Sequence, residues 1–197
     1  TSGGQEPTRQ QGDRGPWPHG WGRRGGPRAG RIPAGKRYTT EHGAALRTQD
    51  AGVTLRNCLV TGSYSNNVGA VYALRGSITV QNCTFTNNNG NDSSCLYLDG
   101  NWTGRVDNCL FAYNTVRWSG GSGHVLLYRG NVSLTNCTIV NNTGTDGLQM
   151  WDTVGSVYNN IIAYNDAGFR TNAADPEFYN NNVYGNINWD YWPSNLN

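Results

Sequence analysis

The chain has 197 residues, of which 36% are hydrophobic and 14% charged, and its formal net charge is +2. Abundant glycine and asparagine disfavour helices and favour strands joined by turns, and no apolar run is long enough to span a bilayer. Residues 1–50 hold nine of the 15 Lys and Arg residues. The remainder is mildly acidic, which argues against nucleic-acid binding by that part.

Residues 1–44 form the first predicted segment. They contain five of the seven prolines, several Arg-Gly clusters and few aliphatic residues. Such a segment buries too little apolar surface to offset its ordering entropy, so we predict a disordered basic tail. A plain linker is the interpretation we favour over an RNA-binding tail. An out-of-frame reading of GC-rich DNA is a third hypothesis. Residues 45–197 are predicted to form one repeat domain.

An Asn-Cys or Asn-Asn pair recurs from residue 57 onward, at intervals of 21 to 28 residues. The pairs are Asn57-Cys58, Asn82-Cys83, Asn108-Cys109, Asn136-Cys137, Asn159-Asn160 and Asn180-Asn181. Apolar residues keep fixed positions around each pair, and alternate residues of a strand face the same side. One unit cannot bury its apolar side alone, so we predict about five units stacked into a coil.

An earlier strand in each unit is aligned by the phrases AVYALRG, SCLYLDG, HVLLYRG and GLQMWDT. This alignment predicts two inward-facing columns: Val71, Cys95, Val125 and Leu148 in one, and Ala73, Tyr97, Leu127 and Met150 in the other.

The phrases ITVQNCTFTNN, VSLTNCTIVNN and SVYNNIIAYN resemble rungs of the right-handed parallel β-helix repeat proteins, the pectate-lyase-like superfamily. The resemblance covers about residues 45–190 and implies an all-β parallel solenoid. It also implies an asparagine ladder at a sharp turn, formed by Asn57, Asn82, Asn108, Asn136 and Asn159. Enzymes, adhesins and fibres share this fold, so the resemblance does not identify a function.

Four cysteines, Cys58, Cys83, Cys109 and Cys137, fall in one column at the strand spacing of ~4.8 Å. Parallel side chains do not point at each other as a disulfide requires, and a row of thiols cannot surround zinc tetrahedrally. We therefore predict buried free thiols that pack as small apolar residues, with no metal or cofactor site. A second asparagine column, at Asn88, Asn114, Asn142, Asn165 and Asn186, is predicted to mark a turn with left-handed backbone.

Charged residues give a further column. Arg75, Asp99, Arg129 and Asp152 follow the earlier strand in four successive units and alternate in sign. Stacked rungs would pair them into a salt-bridge ladder that fixes register. The alternative is a site for sugar acids, in which Asp is the base and Arg holds the carboxylate.

Aromatic residues suggest one binding surface. Tyr72, Tyr128 and Trp151 are out of phase with the inward columns, so we expect them to face solvent, with Trp118 in a nearby turn. Together they would form a platform on which sugar rings stack. The alternative is that they only cover the outer sheet.

Catalytic motifs are incomplete. Thr145-Asp146-Gly147 and Gly123-His124 are similar to parts of polygalacturonase motifs, but the paired Asp-Asp and the Arg-Ile-Lys element are missing. His124 is expected to be a solvated turn residue, and no catalytic residue is predicted.

The function that these patterns favour is a non-catalytic extracellular or cell-surface module, of bacterial type, for display, adhesion or glycan contact. Its partner would be a polysaccharide, another surface component or further rungs of a longer chain. The alternative is a polysaccharide lyase or glycoside hydrolase that acts on acidic polysaccharide.

Overall fold

The computed structural model describes residues 30–33, 38–39, 42–118 and 120–193. Apart from its two short strands, the predicted tail up to residue 41 lies outside the described residues. All regular structure in the described part is β. That part contains no helix long and apolar enough to cross a membrane.

The chain coils through three sheets of parallel strands. The first sheet contains β1 (Gly30–Pro33), β4 (Cys58–Thr61), β7 (Thr84–Thr86), β10 (Leu110–Ala112), β13 (Thr138–Val140), β16 (Ile161–Ala163) and β19 (Asn182–Tyr184). The second contains β2 (Tyr38–Thr39), β5 (Tyr64–Ser65), β8 (Asn89–Gly90) and β11 (Thr115–Val116). The third contains β3 (Leu46–Arg56), β6 (Val71–Gln81), β9 (Leu96–Asp107), β12 (Val125–Thr135), β14 (Asp146–Val154), β15 (Ser156–Tyr158), β17 (Ala167–Asn172), β18 (Glu177–Tyr179) and β20 (Tyr191–Pro193).

Neighbouring strands of a sheet are one turn of the coil apart, and the first sheet has seven strands. The described chain therefore makes about six turns, and the predicted parallel β-helix is confirmed with about one turn more than expected. The additional turn includes β1 and β2, which pair with β4 and β5. The coil thus includes two short segments of the N-terminal region that was assigned to the tail.

The long strands of the third sheet bend in the middle. Asp50, Arg75, Arg129 and Asp152 have φ between 49° and 54° at this bend. Gly76 follows Arg75 with φ 137°, and a Cβ there would lie 2.3 Å from the carbonyl oxygen of Ala51. Only glycine fits this approach, so the backbone can turn sharply without losing its pairing to the preceding rung.

The core is a set of apolar columns inside the coil. The column contributed by the first sheet contains Val60, Phe85, Phe111, Ile139 and Ile162, all 0% exposed. The rings of Phe85 and Phe111 stack with their centroids 4.8 Å apart, the spacing of adjacent strands. Each core side chain therefore packs on the equivalent side chain of the next rung, and side chains fill the inside of the coil.

The alignment of β9 with its neighbours is shifted by one residue from the predicted one. Leu96, not Cys95, pairs with Val71 and Val125, and Leu98, not Tyr97, pairs with Ala73 and Leu127. A register shift follows Asp99, where β9 carries one residue more than its neighbours. The sequences Leu74-Arg75-Gly76 and Leu98-Asp99-Gly100 look equivalent. The bulge in β9 offsets them by one residue, so Leu74 pairs with Asp99 and the predicted alignment is wrong.

A buried asparagine ladder runs along a turn next to the first sheet. Each side chain donates from Nδ2 to the Oδ1 of the next at 2.9–3.1 Å, in the order Asn88, Asn114, Asn142, Asn165 and Asn186. Each Oδ1 also accepts a backbone N–H from the preceding rung, as Asn114 does from Asn88 at 2.9 Å. The predicted left-handed backbone belongs to the preceding residues, such as Asn87 and Tyr113, so that assignment is corrected.

The asparagines of the Asn-Cys pairs lie at an outer turn with φ between 51° and 58°. Asn82 donates to Asn57 at 3.2 Å, Asn108 to Asn82 at 2.8 Å, and Asn159 to Asn136 at 3.5 Å. The series is interrupted between Asn108 and Asn136, because Asn136 donates to Asp107 instead, at 3.0 Å. The ladder that resemblance implies is therefore an exposed, incomplete one, and the buried ladder is a different column.

The charged column forms separate pairs and not a continuous ladder. Arg75 binds Asp50 with 2.7 and 2.9 Å contacts, and Arg129 binds Asp99 at 2.7 Å. Asp99 precedes the bulge and lies beside Leu74 and Tyr128, one position away from the predicted column. Among the described residues Asp152 has no ion pair, so the predicted four-residue alternation is corrected to two discrete pairs.

The two asparagine columns lead to a prediction about stability. We expect Asn114→Ala to lower the free energy of unfolding by about 3 kcal/mol, because buried backbone groups lose their partners. Asn108→Gly should cost less than ~1 kcal/mol, since glycine keeps the left-handed backbone of an exposed turn. Urea denaturation of both variants measures the difference, and equal losses would contradict the distinction between the ladders.

Candidate functional site

A polar cleft lies where the turns of four successive rungs meet near the C-terminal end of the described chain. Its volume is about 160 Å³, and its lining comprises Gly120, Gly121, Gly144, Thr145, Asp146, Asp166, Ala167, Arg170, Asn188 and Trp189. Asp146 and Ala167 are paired in neighbouring strands, β14 and β17. Parallel stacking therefore brings together groups that are about one repeat apart in the sequence.

Asp146 lies at the base of this cleft and is 0% exposed. Its Oδ2 is 3.0 Å from Nε of Arg170. Burial raises the pKa of the Asp146 carboxyl to about 6, against the opposing effects of Arg170 and the Trp189 indole. A carboxyl group with this pKa can both hold and release a proton near neutral pH.

Arg170 connects the acidic and aromatic parts of the cleft. Its guanidinium lies over the Trp189 ring, 5.2 Å from the centroid, and its side chain is 34% exposed. Contact with both Asp146 and Trp189 restricts the side chain while leaving part of its N–H surface accessible. A planar guanidinium held in this way suits the recognition of oxygen-rich ligands.

The turn that carries Asp146 is held by its neighbours on both sides. Oδ2 of Asp166 accepts the Gly144 N–H at 2.6 Å, and the Thr145 hydroxyl donates to the Gly121 carbonyl at 3.0 Å. Gly144 has φ 105°, and a Cβ there would lie 1.8 Å from the carbonyl oxygen of Val116. The cleft is thus a preformed feature of stacked turns.

An aromatic cavity of about 310 Å³ adjoins the cleft and shares Arg170 and Trp189 with it. The other lining residues are Thr171, Asn172 and Trp192. The rings of Trp189 and Trp192 are 5.1 Å apart at an angle of 60°, and Trp192 is 52% exposed. Polar and aromatic surfaces therefore meet along one edge of the molecule.

The predicted aromatic platform is distributed differently. Tyr72 is only 7% exposed, stacks on His42 at 4.5 Å and meets Tyr97 edge-on at 5.3 Å, so its predicted exposure is wrong. Tyr128 and Trp151 contact each other at 5.8 Å, and Trp151 is 42% exposed.

Trp118 is 62% exposed and lies beside Gly120, at the rim of the polar cleft. Tyr128 and Trp151 therefore lie together on one surface. Tyr72 belongs to a different outward column, in which it pairs with Tyr97 and Tyr97 pairs with Leu126.

His124 is buried at 0% exposure, contrary to the predicted solvated turn. Its Nδ1 is 2.6 Å from the Ser94 hydroxyl, and burial lowers its pKa to about 3. The imidazole is consequently neutral at ordinary pH and belongs to the packing of the turns.

The five cysteines are free, and Cys83, Cys95, Cys109 and Cys137 are buried while Cys58 is half-buried. No three His, Cys, Asp or Glu side chains converge as a metal site within the described ranges.

Sequence reasoning noted Asp146 but missed Arg170, Trp189 and Asp166 as its neighbours. The available signal was spacing: Asp146 and Asp166 are one repeat apart, and Arg170 follows four residues later. Trp189 comes from the turn after β19, beyond the aligned phrases. Its position depends on how the last rung stacks, and residue spacing alone does not give it.

Asp146 leads to a prediction about pH. The folded pKa of about 6 exceeds the reference value of 3.8, so the contribution of Asp146 to stability is fully present below pH 3.8 and is lost as pH rises through 6. Relative to Asp146→Asn, the wild-type protein should lose about 2 kcal/mol of unfolding free energy between pH 4 and 7.

Urea denaturation of both proteins across this range measures the difference, in which the contribution of His124 cancels. A difference that does not change with pH would contradict the assignment of the raised pKa to Asp146.

Comparison with known proteins assigns the family. Residues 94–191 match the model of the family described as the right handed beta helix region. No curated protein and no solved structure is significantly similar to the chain. The matched residues extend from just before β9 to the start of β20, within the coil of parallel strands. The chain therefore belongs to the right-handed β-helix family.

Proposed function

We propose that the chain is an extracellular or cell-surface β-helix module that contacts glycans through the polar cleft and its aromatic edge. The observation that carries this proposal is the position of Trp189, between the aromatic cavity and the Asp146–Arg170 pair. Sugars present apolar C–H faces and hydroxyl edges, so an indole beside a charged pair can bind both.

The shape of the site supports contact with an oligosaccharide. The polar cleft holds about 160 Å³ and the adjoining cavity about 310 Å³. Ligand pockets commonly combine apolar walls with a few placed polar groups, and the shared residues Arg170 and Trp189 supply this combination. The Tyr128–Trp151 surface is a competitor of a different kind, because its two rings contact each other and the Arg129 guanidinium lies over Tyr128, 4.4 Å from the ring centroid.

A binding experiment with two matched tryptophan variants tests the proposal. Trp189→Ala should weaken binding of a glycan selected on an array by at least tenfold, since one stacked ring contributes about 1.4 kcal/mol or more. Trp151→Ala should leave affinity unchanged, and circular dichroism should show that both variants are folded. Titration calorimetry measures the affinities, and loss of binding only in Trp151→Ala would transfer the site to the outer aromatic surface.

A second candidate function is cleavage of acidic polysaccharide, which the raised pKa of Asp146 favours. A protonated Asp146 beside Asp166 would supply an acid and a carboxylate at one cleft. General acid catalysis contributes typically ~10²–10⁴-fold to rate. New reducing ends or unsaturated uronate absorbance, abolished in Asp146→Asn, would establish the enzyme; binding without product would leave the contact module.

A further inference from the structure

The thiol column consists of Cys58, Cys83, Cys109 and Cys137. Its four side chains share one direction and one spacing, which packing alone does not require. Each Sγ donates to the carbonyl two residues earlier in its own chain, at 3.1–3.2 Å. Identical local bonds give the four side chains the same direction. The strands are in register, so the sulfurs repeat along the axis at about the strand spacing of ~4.8 Å.

This spacing suits a cation with two ligands. A metal–thiolate bond of about 2.3 Å, doubled across a linear centre, spans about 4.6 Å. Side chains stand roughly perpendicular to a sheet, so each Cβ–Sγ bond is close to a right angle to the column. Two sulfurs can therefore face one ion between rungs without backbone movement. A third or fourth sulfur is too far along the row, which excludes tetrahedral binding.

We propose that the thiol column binds a soft monovalent cation, Cu(I) or Ag(I), as a linear dithiolate between Cys83 and Cys109. Soft thiolate ligands select such ions over harder divalent ones. Binding converts two thiols and one M⁺ into M(SR)₂⁻ and releases two protons to solvent. No electron is transferred, and no other reactant is required.

Two observations favour this pair over its neighbours. The Cys83 backbone N–H donates to Sγ of Cys109 at 3.5 Å, and so connects the two proposed ligands. Such N–H groups stabilise the negative charge of bound thiolates. The Cys137 N–H, in contrast, donates to Oδ1 of Asn160 at 2.8 Å, where the column changes from thiols to amides.

Access is available along the same rungs. A groove of about 380 Å³ is bounded by Asn82, Cys83, Thr84, Asn108, Cys109, Leu110, Asn136 and Thr138. The column also ends at the half-buried Cys58.

Titration of the reduced, folded protein with Ag(I), and with Cu(I) held by a competing chelator under anaerobic conditions, tests this proposal. We expect one tightly bound ion per chain and X-ray absorption from two sulfurs at about 2.3 Å. Cys109→Asn should weaken binding at least 100-fold. Asparagine already occupies this column at Asn160, whose amide bonds both neighbouring rungs, so the variant is designed to fold.

The controls use the same chemistry at other positions. Cys137→Asn, one rung further on, and Cys95→Ala, outside the column, should retain binding within threefold. The proposal is overturned if Cys109→Asn binds as tightly as wild type, if Cys95→Ala loses the ion, or if absorption shows fewer than two sulfur ligands. Far-ultraviolet circular dichroism before and after titration verifies that the ion binds the folded chain.

Discussion

The buried asparagine ladder is the interaction on which the rest of the coil depends. Strand pairing satisfies backbone groups along each sheet, but the chain leaves the sheet at every turn. There the amide of Asn114 donates to the carbonyl of Phe85 at 3.0 Å and to Asn142 at 2.9 Å, while accepting from Asn88. Primary amides therefore continue the axial hydrogen bonding through the turn, where unpaired buried groups would be costly. Ser63 begins the series and Asp190 ends it, so both ends of the ladder have partners.

Fixed register determines where function can be located. In the described residues the inside of the coil is filled by columns such as Phe85 and Phe111. Contact with a glycan is consequently expected at the outer faces and the turns. Equivalent turn positions repeat at the strand spacing, so a few substitutions in adjacent rungs suffice to build a site. Asp146, Asp166 and Arg170 are such a set, and the bonds of Gly144 and Thr145 to adjacent rungs keep their turn in place.

Most of the architecture could be predicted from the recurrent Asn-Cys pairs, because each pair occupies the same place in a physically repeated unit. The predictions failed where one rung differs from the next. The additional residue after Asp99 shifted a column by one position, and Tyr72 is covered by His42 although its strand phase points outward. The identity of the buried ladder was missed for a related reason: Asn82 and Asn88 both recur, and spacing does not distinguish an amide that is buried from one that is exposed. The cleft was only partly foreseen because Trp189 reaches it from the last turn.

In a solenoid, the free energy lost by burying a charge is confined to the rungs around that charge. An ionised, buried Asp146 costs about 3 kcal/mol at neutral pH, by the difference between its pKa of about 6 and 3.8. In a quasi-one-dimensional fold this cost falls mainly on the rungs that contact it, and those rungs are unusually well supported. Phe169 precedes Arg170 on the same strand, stacks on Phe178 at 4.6 Å and packs against Tyr191 at 5.5 Å. Aromatic packing under the cleft thus offsets the burial of a charge above it.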